Sequence, residues 1–192
     1  MGRRMQLLID EYRCSDGGGG GESVVRQALV NMKMVLSDSA PAVIPNVEFL
    51  CVGSVGAAYA PASSLRSHGI THIINVTQTL RCKHSEDFTY LVFGIADSPD
   101  TDLFASRHMD RIFKLFEEAR IAGGRVLVHC YQGRSRSVSV VIAYLIKAQG
   151  YQYESALALV RSVRAAAQPN HGFEQQLRAL EQACRASSSK DN

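Results

Sequence analysis

Apolar and polar positions change their rhythm along this chain, and the changes mark its elements. Short, largely apolar runs at Val47–Val52, Ile70–Val76, Phe88–Phe93 and Arg125–His129 predict strands. Helical spacing recurs between and after them. Ala62–His68 predicts a short helix stopped by Gly69, and Leu103–Ile121 a long one with Met109, Ile112, Phe113 and Phe116 on one face. Gly123-Gly124 ends that helix. After Arg125–His129 comes a polar loop. A helix with Val138, Val141, Ile142, Leu145 and Ile146 on its apolar face follows and is closed by Gly150. Two more helices are predicted over Tyr153–Arg164 and Gly172–Arg185, with Ala156, Leu157 and Val160, then Phe173, Leu177 and Leu180, facing inward. Strands alternating with helices predict an α/β fold with a central, mostly parallel sheet flanked by helices. The helix-rich C-terminal end covers one sheet face.

The ends differ from this middle. Residues 1–21 read as a flexible tail, because Gly17–Gly21 is an unbroken glycine run with much conformational freedom to lose. From Glu22, Val25, Ala28, Leu29, Met32, Val35 and Leu36 recur at helical spacing. They predict a helical extension over residues 22–43, ended by Pro41 and Pro45. The folded domain is expected over residues 44–186, with a polar, disordered end over 187–192.

Composition narrows the class. The chain has 192 residues, 46% of them hydrophobic. That length suits about one domain with some residue left over, and a core that needs neither disulfide nor metal. The longest apolar run, Val138–Ile146, is broken by Ser139 and falls short of the roughly 18 residues of a membrane span. The apolar stretch after Arg3-Arg4 ends at Asp10, too soon for a signal-peptide core. Gln6 stands where a myristoylation motif wants Ser or Thr. A net charge of +3 from dispersed basic residues gives no argument for nucleic acid. The five cysteines, Cys14, Cys51, Cys82, Cys130 and Cys184, form no CxxC and no cluster of zinc spacing with histidine. Without a secretory signal, that usage predicts a reducing compartment, cytoplasm or nucleus, with most of the thiols buried as small apolar groups.

One cysteine has a different setting. In Val126-Leu-Val-His129-Cys130-Tyr131-Gln132-Gly133-Arg134-Ser135-Arg136-Ser137, an apolar strand feeds a cysteine, a polar turn follows, and Arg136-Ser137 opens a helix. Ligands of open α/β sheets bind beyond the carboxyl ends of strands. A loop running into a helix N-terminus can turn successive backbone N–H groups inward as an anion nest. A phosphate dianion suits such a place. The spacing from Cys130 lets the Arg136 guanidinium grip two phosphate oxygens above the sulfur. Such positive surroundings favour thiolate over thiol, and the thiolate is the nucleophile. A nucleotide-binding P-loop is excluded, because no GxxxxGK[ST] occurs.

These residues match the signature HCxxGxxR[ST], so the chain resembles the protein tyrosine phosphatase superfamily and, within it, the dual-specificity phosphatases. The resemblance runs from about Ile44 to Ala183 and includes Phe49-Leu-Cys-Val-Gly-Ser, Gly69-Ile-Thr-His-Ile-Ile-Asn-Val and Pro169-Asn170-His-Gly172-Phe173 with Gln176-Leu177. It implies hydrolysis of phosphotyrosine and phosphoserine or phosphothreonine through a phosphocysteine on Cys130, without a cofactor or metal. Arg136 and the loop 131–136 (Tyr131, Gln132, Gly133, Arg134 and Ser135 ahead of the arginine) would hold the phosphate.

The family takes its general acid from an upstream loop, here Gly94-Ile95-Ala96-Asp97-Ser98-Pro99-Asp100-Thr101-Asp102. Asp97 fits that role best, directly after the apolar Ile95-Ala96 step. Asp100 is the runner-up, and Asp102 reads as the N-cap of the long helix. Ser137 either bonds local backbone at the helix start or, as the family implies, stabilises the departing thiolate. His129 is expected to orient the loop rather than act as a base, and Asn170 to brace the loop or to cap the last helix. Arg134 and Tyr131 are placed to touch substrate, and Cys82 and Cys51 read as inert buried thiols or, alternatively, as partners that trap an oxidised Cys130.

Neighbouring families fit less well. Phosphoinositide phosphatases resemble HCKxGKxR, whereas Tyr131 and Arg134 make only one of those two positions basic. A phosphate-binding module without activity typically lacks the Cys, the Arg or the Asp, and all three are present. The rhodanese loop has different spacing. In the tail, Arg3-Arg4 followed by Leu7 and Ile9 looks like a docking motif for MAP kinases.

Overall fold

The computed structural model describes Lys33, Val35 and residues 38–105 and 108–188. The glycine-rich tail, Arg3-Arg4, Cys14 and most of the helical extension lie outside the described residues. Among these, a five-stranded sheet has the order β1-β2-β5-β3-β4, with β1 (Ala42–Val43), β2 (Leu50–Gly53), β3 (Ile70–Asn75), β4 (Thr89–Val92) and β5 (Arg125–His129). β1 is antiparallel to β2, and every other pairing is parallel. The helices are α1 (Val55–Ala58), α2 (Ala62–Ser67), α3 (His108–Ile121), α4 (Arg136–Gln149), α5 (Tyr153–Val163) and α6 (His171–Ser188).

The central strands are covered on both faces, which is why their sequences are nearly unbroken apolar runs. Period two still sorts their side chains. Val126 and Val128 of β5 join Ile74, Val52 and the helical layer of α3 to α6. Leu127 turns the other way, to Cys51, Ile73 and Leu65 under α2. α4 is the centre of the helical layer: every residue from Ser137 to Ile146 is buried, and Gly150 at φ +71° closes its C-terminus. None of the described helices is long and apolar enough to cross a membrane.

The strand over 125–129 is as expected, and the other central elements shift by a few residues at their ends. Some expectations need correction. The helical extension does not reach residue 43, because Ala42–Val43 pairs as β1 with Cys51 and Val52. The second strand begins at Leu50 rather than Val47. Asn46 adopts the left-handed conformation (φ 63°), and Leu50 N–H donates to Val47 O (2.8 Å), so those residues turn the chain from β1 into β2. The long helix is described from His108, and Asp102 is not its N-cap. Its carboxylate accepts from Phe104 N–H (2.8 Å) and closes a local turn instead. At the C-terminus the last helix continues through Ser187 to Ser188, where the polar composition predicts disorder.

Candidate active site

β5 is the middle strand, and the ladders set His129 between Gly53 of β2 and Asn75 of β3. The chain leaves the sheet there. The loop 130–135 then runs into the N-terminus of α4, which puts Cys130 at the bottom of a bowl whose rim is the first turn of a helix.

Neighbours outside the bowl hold the loop by its carbonyls. Val55 N–H donates to Tyr131 O (3.0 Å), Arg164 Nη2 to Gln132 O (2.8 Å) and Arg164 Nε to Gly133 O. Gln168 N–H donates to Arg134 O (2.8 Å), and Ser139 bonds Ser135 O through its N–H (2.8 Å) and hydroxyl (2.9 Å). A trans peptide is planar, so a carbonyl fixed outward turns the next N–H inward. The Gln132–Gly133 peptide shows the result, with Gly133 N–H donating to Cys130 Sγ (3.2 Å). Gly133 has φ +65°, and a Cβ there would lie 2.5 Å from Arg164 Nη2 and 2.6 Å from Gly53 O, so only glycine fits. The Ser137 hydroxyl stands 3.4 Å from Cys130 Sγ and 3.5 Å from Gly53 O. Ser135 occupies the N-cap position of α4 but makes no side-chain cap, which leaves the first amides of the helix facing the bowl.

The side chain of Ser135 has another task. Its hydroxyl donates to Asp97 Oδ1 (2.7 Å) and accepts from Asn170 N–H (3.1 Å). Asn170 Nδ2 donates to the same Asp97 oxygen (3.0 Å). Arg136 faces the other one, with Nε 3.4 Å from Asp97 Oδ2, while its Nη1 reaches Ile95 O (3.4 Å). The Nε contact is an ion pair without hydrogen-bond geometry, so this buried N–H has no hydrogen-bond partner among the described residues. A buried guanidinium N–H without a hydrogen bond, on the same loop as the inward-turned Gly133 N–H, suits an oxyanion.

The loop that carries Asp97 is clamped to α6. Gln176 accepts from Leu103 N–H (2.7 Å) and donates to Thr101 O (2.8 Å). A Cβ on Gly172 would lie 1.8 Å from Pro99 O, so the loop seats where only glycine leaves space.

The sequence-derived residues therefore divide. Cys130, Gly133, Ser135, Arg136, Ser137, Asp97 and Asn170 come together around the bowl. Tyr131, Gln132 and Arg134 belong to its wall through their backbones. The Tyr131 ring packs beside Val35, Val55 and Leu80, and the Arg134 guanidinium binds Gln168 Oε1. Asp100 is exposed, in the turn where its N–H meets Ser98 Oγ (3.3 Å), and takes no part in the Asp97 network. Asn170 touches Ser135 and Asp97 and also caps α6, its Oδ1 accepting from Phe173 N–H (2.9 Å). His129 is buried, with Nδ1 3.3 Å from Cys130 O; burial, opposed by that contact and aided by the Arg136 charge, pushes its pKa down to about 4. The ring is neutral at pH 7 and lies against the first carbonyl of the loop.

Cys51 lies under the opposite sheet face from Cys130, where burial pushes its thiol up to about 12, and the Cys82 thiol is raised by the same cause. Sequence alone does not single out Ser54 or Arg164. Ser54 has only the Gly-Ser turn as a signal, and Arg164 none beyond its place at a helix end. No group of three or more His, Cys, Asp or Glu that could hold a metal ion occurs among the described residues.

A thiol at the carboxyl end of the central parallel strand, inside an amide and guanidinium bowl, marks the protein-tyrosine-phosphatase-like class of α/β domain. The model of the dual specificity phosphatase catalytic domain matches residues 51–183. Dual specificity protein phosphatase 1 of Arabidopsis thaliana is 41% identical over 165 residues, 84% of this chain and 81% of that one. The crystal structure of human DUSP28 is 32% identical and superposes with a TM-score of 0.68 over 76% of this chain and 95% of its own. A mouse putative dual specificity phosphatase, complexed with zinc tungstate, is 28% identical with a TM-score of 0.70, covering 91% and 97%. The chain belongs to the dual specificity phosphatase family, and it is a cysteine-based protein phosphatase.

Proposed function

We propose that Cys130 is the nucleophile of a phosphatase acting on phosphotyrosine and on phosphoserine or phosphothreonine in proteins. The observation that carries this reading is the meeting of Gly133 N–H and the Ser137 hydroxyl at the buried Cys130 sulfur, on a loop whose Arg136 pairs with Asp97. In the first step the Cys130 thiolate attacks phosphorus, forming an S–P bond as the P–O bond to the substrate breaks. Asp97 gives its proton to the leaving oxygen, which departs as a neutral hydroxyl. In the second step water attacks the phosphocysteine and Asp97 takes its proton. The S–P electrons return to sulfur as phosphate leaves, and the Ser137 hydroxyl stabilises the thiolate. Arg136 and the inward N–H groups hold the equatorial oxygens through both steps. Asn170 and Ser135 aim the Asp97 carboxylate.

Protein substrates are favoured over phosphoinositides because the loop's second basic side chain, Arg134, is already bound to Gln168. A panel of phosphotyrosine peptide, phosphothreonine peptide and phosphoinositide, measured side by side, tests this. Turnover confined to the lipid would overturn it. The Arg3-Arg4 segment with Leu7 and Ile9 supports a MAP kinase as one phosphoprotein partner. Changing both arginines to glutamate is expected to abolish that binding, and unaltered binding would end the idea. The scattered cysteines support a reducing compartment, cytoplasm or nucleus.

A further inference from the structure

Arg164 and Asp38 lie outside the signature and outside the chemistry just described, yet they touch its most critical peptides. Arg164 is the C-terminal cap residue of α5. Its guanidinium lies behind the bowl, with the side chain 9% exposed, and donates to Gln132 O (2.8 Å) and to Gly133 O. These carbonyls belong to the two peptides whose N–H groups are those of Gly133 and Arg134. The first of those N–H groups points at Cys130 Sγ.

A nearly buried guanidinium needs a counter-charge. Asp38 supplies it, with Oδ2 2.6 Å from Arg164 Nη2. Asp38 comes from the segment ahead of the catalytic fold. The Ser54 hydroxyl fixes this segment through Asp38 O (3.1 Å) while its oxygen caps α1 at Gly56 N–H (3.1 Å). Gly56 lets the segment lie close, since a Cβ there would meet Val35 O at 2.1 Å. Val35 and Tyr131 flank the same small apolar cluster.

We propose that Arg164 is a positioning residue that turns the Gln132–Gly133 and Gly133–Arg134 peptides toward the nucleophile and the bound phosphate, and that Asp38 of the N-terminal segment acts through it. The inference rests on Cys130 being the nucleophile. It makes Asp38 a working part of the active site, coupled to catalysis through one ion pair.

The test uses the full chain with Arg164→Ala, Arg164→Lys, Asp38→Asn and the double variant. Thermal melts establish which variants fold. Two measurements read the loop without turnover: tungstate binding, and the pH profile of Cys130 alkylation by iodoacetamide. A third is kcat and KM for an aryl phosphate. For Arg164→Ala the expected results are an alkylation profile moved to higher pH, tungstate binding weakened by about tenfold or more, and kcat reduced by roughly 10–10²-fold. Arg164→Lys restores part of each. Asp38→Asn gives a smaller change in the same direction and adds nothing in the Arg164→Ala background. A folded Arg164→Ala with wild-type alkylation and tungstate binding would overturn the proposal. So would an Asp38→Asn effect that is undiminished without Arg164. If Arg164→Ala does not fold, Asp38→Asn with an unmoved profile overturns it. Failure of the nucleophile assignment shows separately, as wild-type turnover that survives Cys130→Ser.

Discussion

The cysteine loop 130–136 and the loop 94–103 that carries Asp97 meet at the Arg136–Asp97 ion pair and at two hydrogen bonds, Ser135 Oγ to Asp97 Oδ1 and Arg136 Nη1 to Ile95 O, but they are held in different ways. The first is continuous with a buried strand and a buried helix, and its peptides are pinned by their carbonyls. The second is clamped by side chains of α6 and the residue before it: Asn170 on the carboxylate, Gln176 on the backbone at 101 and 103, and the bare face of Gly172 under Pro99. The lesson is a division of labour. In the proposed mechanism the scaffold builds the phosphate cradle, and the Asp97 carboxylate is held against it from two sides, by Asn170 ahead of α6 and by Ser135 of the cradle.

The comparison can be broken at graded points. The largest effect is expected from Cys130→Ser, which should lower aryl phosphate hydrolysis by about 10⁴-fold or more while oxyanion binding persists. Isothermal calorimetry with tungstate, beside an activity assay, checks both halves. Asp97→Ala should slow turnover by about 10²–10⁴-fold with Cys130 alkylation unchanged, and Asp100→Ala should stay near wild type. A slow Asp100→Ala would reassign the acid.

Next comes pH-dependent stability at the root of the catalytic loop. The His129 pKa is about 4 in the fold against an ordinary 6.5, so the unfolded chain binds the extra proton between those values. Stability from this group is complete above pH 6.5 and falls as pH drops toward 4, by up to about 3 kcal/mol. Urea midpoints from pH 7 to 4 should show that slope, and His129→Gln should flatten it. Gly172→Ala should be milder than Asp97→Ala. It displaces the acid loop and lowers kcat by roughly 10–10²-fold, with the alkylation profile of Cys130 unaltered. If that profile moves too, the two loops are not independently held.

The same contrast explains what can be read from sequence. The catalytic loop is local in the chain: strand, cysteine, turn and helix follow one another, so Cys130, Gly133, Arg136 and Ser137 are legible together. The sheet class is legible for a similar reason, because buried parallel strands have continuous apolar sequences. Asp97 is recognisable only through the family pattern, since three carboxylates share its loop and the bonds that select it come from Ser135 and Asn170, far along the chain. Asp102 misleads because a short polar side chain before a helix can cap it or close its own turn, and sequence does not separate the two. β1 and α1 are too short to show a period. Arg164 looks like an ordinary cationic helix end, and nothing nearby in sequence announces the carbonyls it holds.

The most direct test of the central claim is to quench the enzyme during turnover of an aryl phosphate and find where the phosphate is attached. Phosphorus on Cys130 alone, in the peptide containing His129 to Arg134, is the predicted result. Phosphate on His129 or Ser137, or turnover with no phosphoenzyme that persists in Cys130→Ser, would contradict the account.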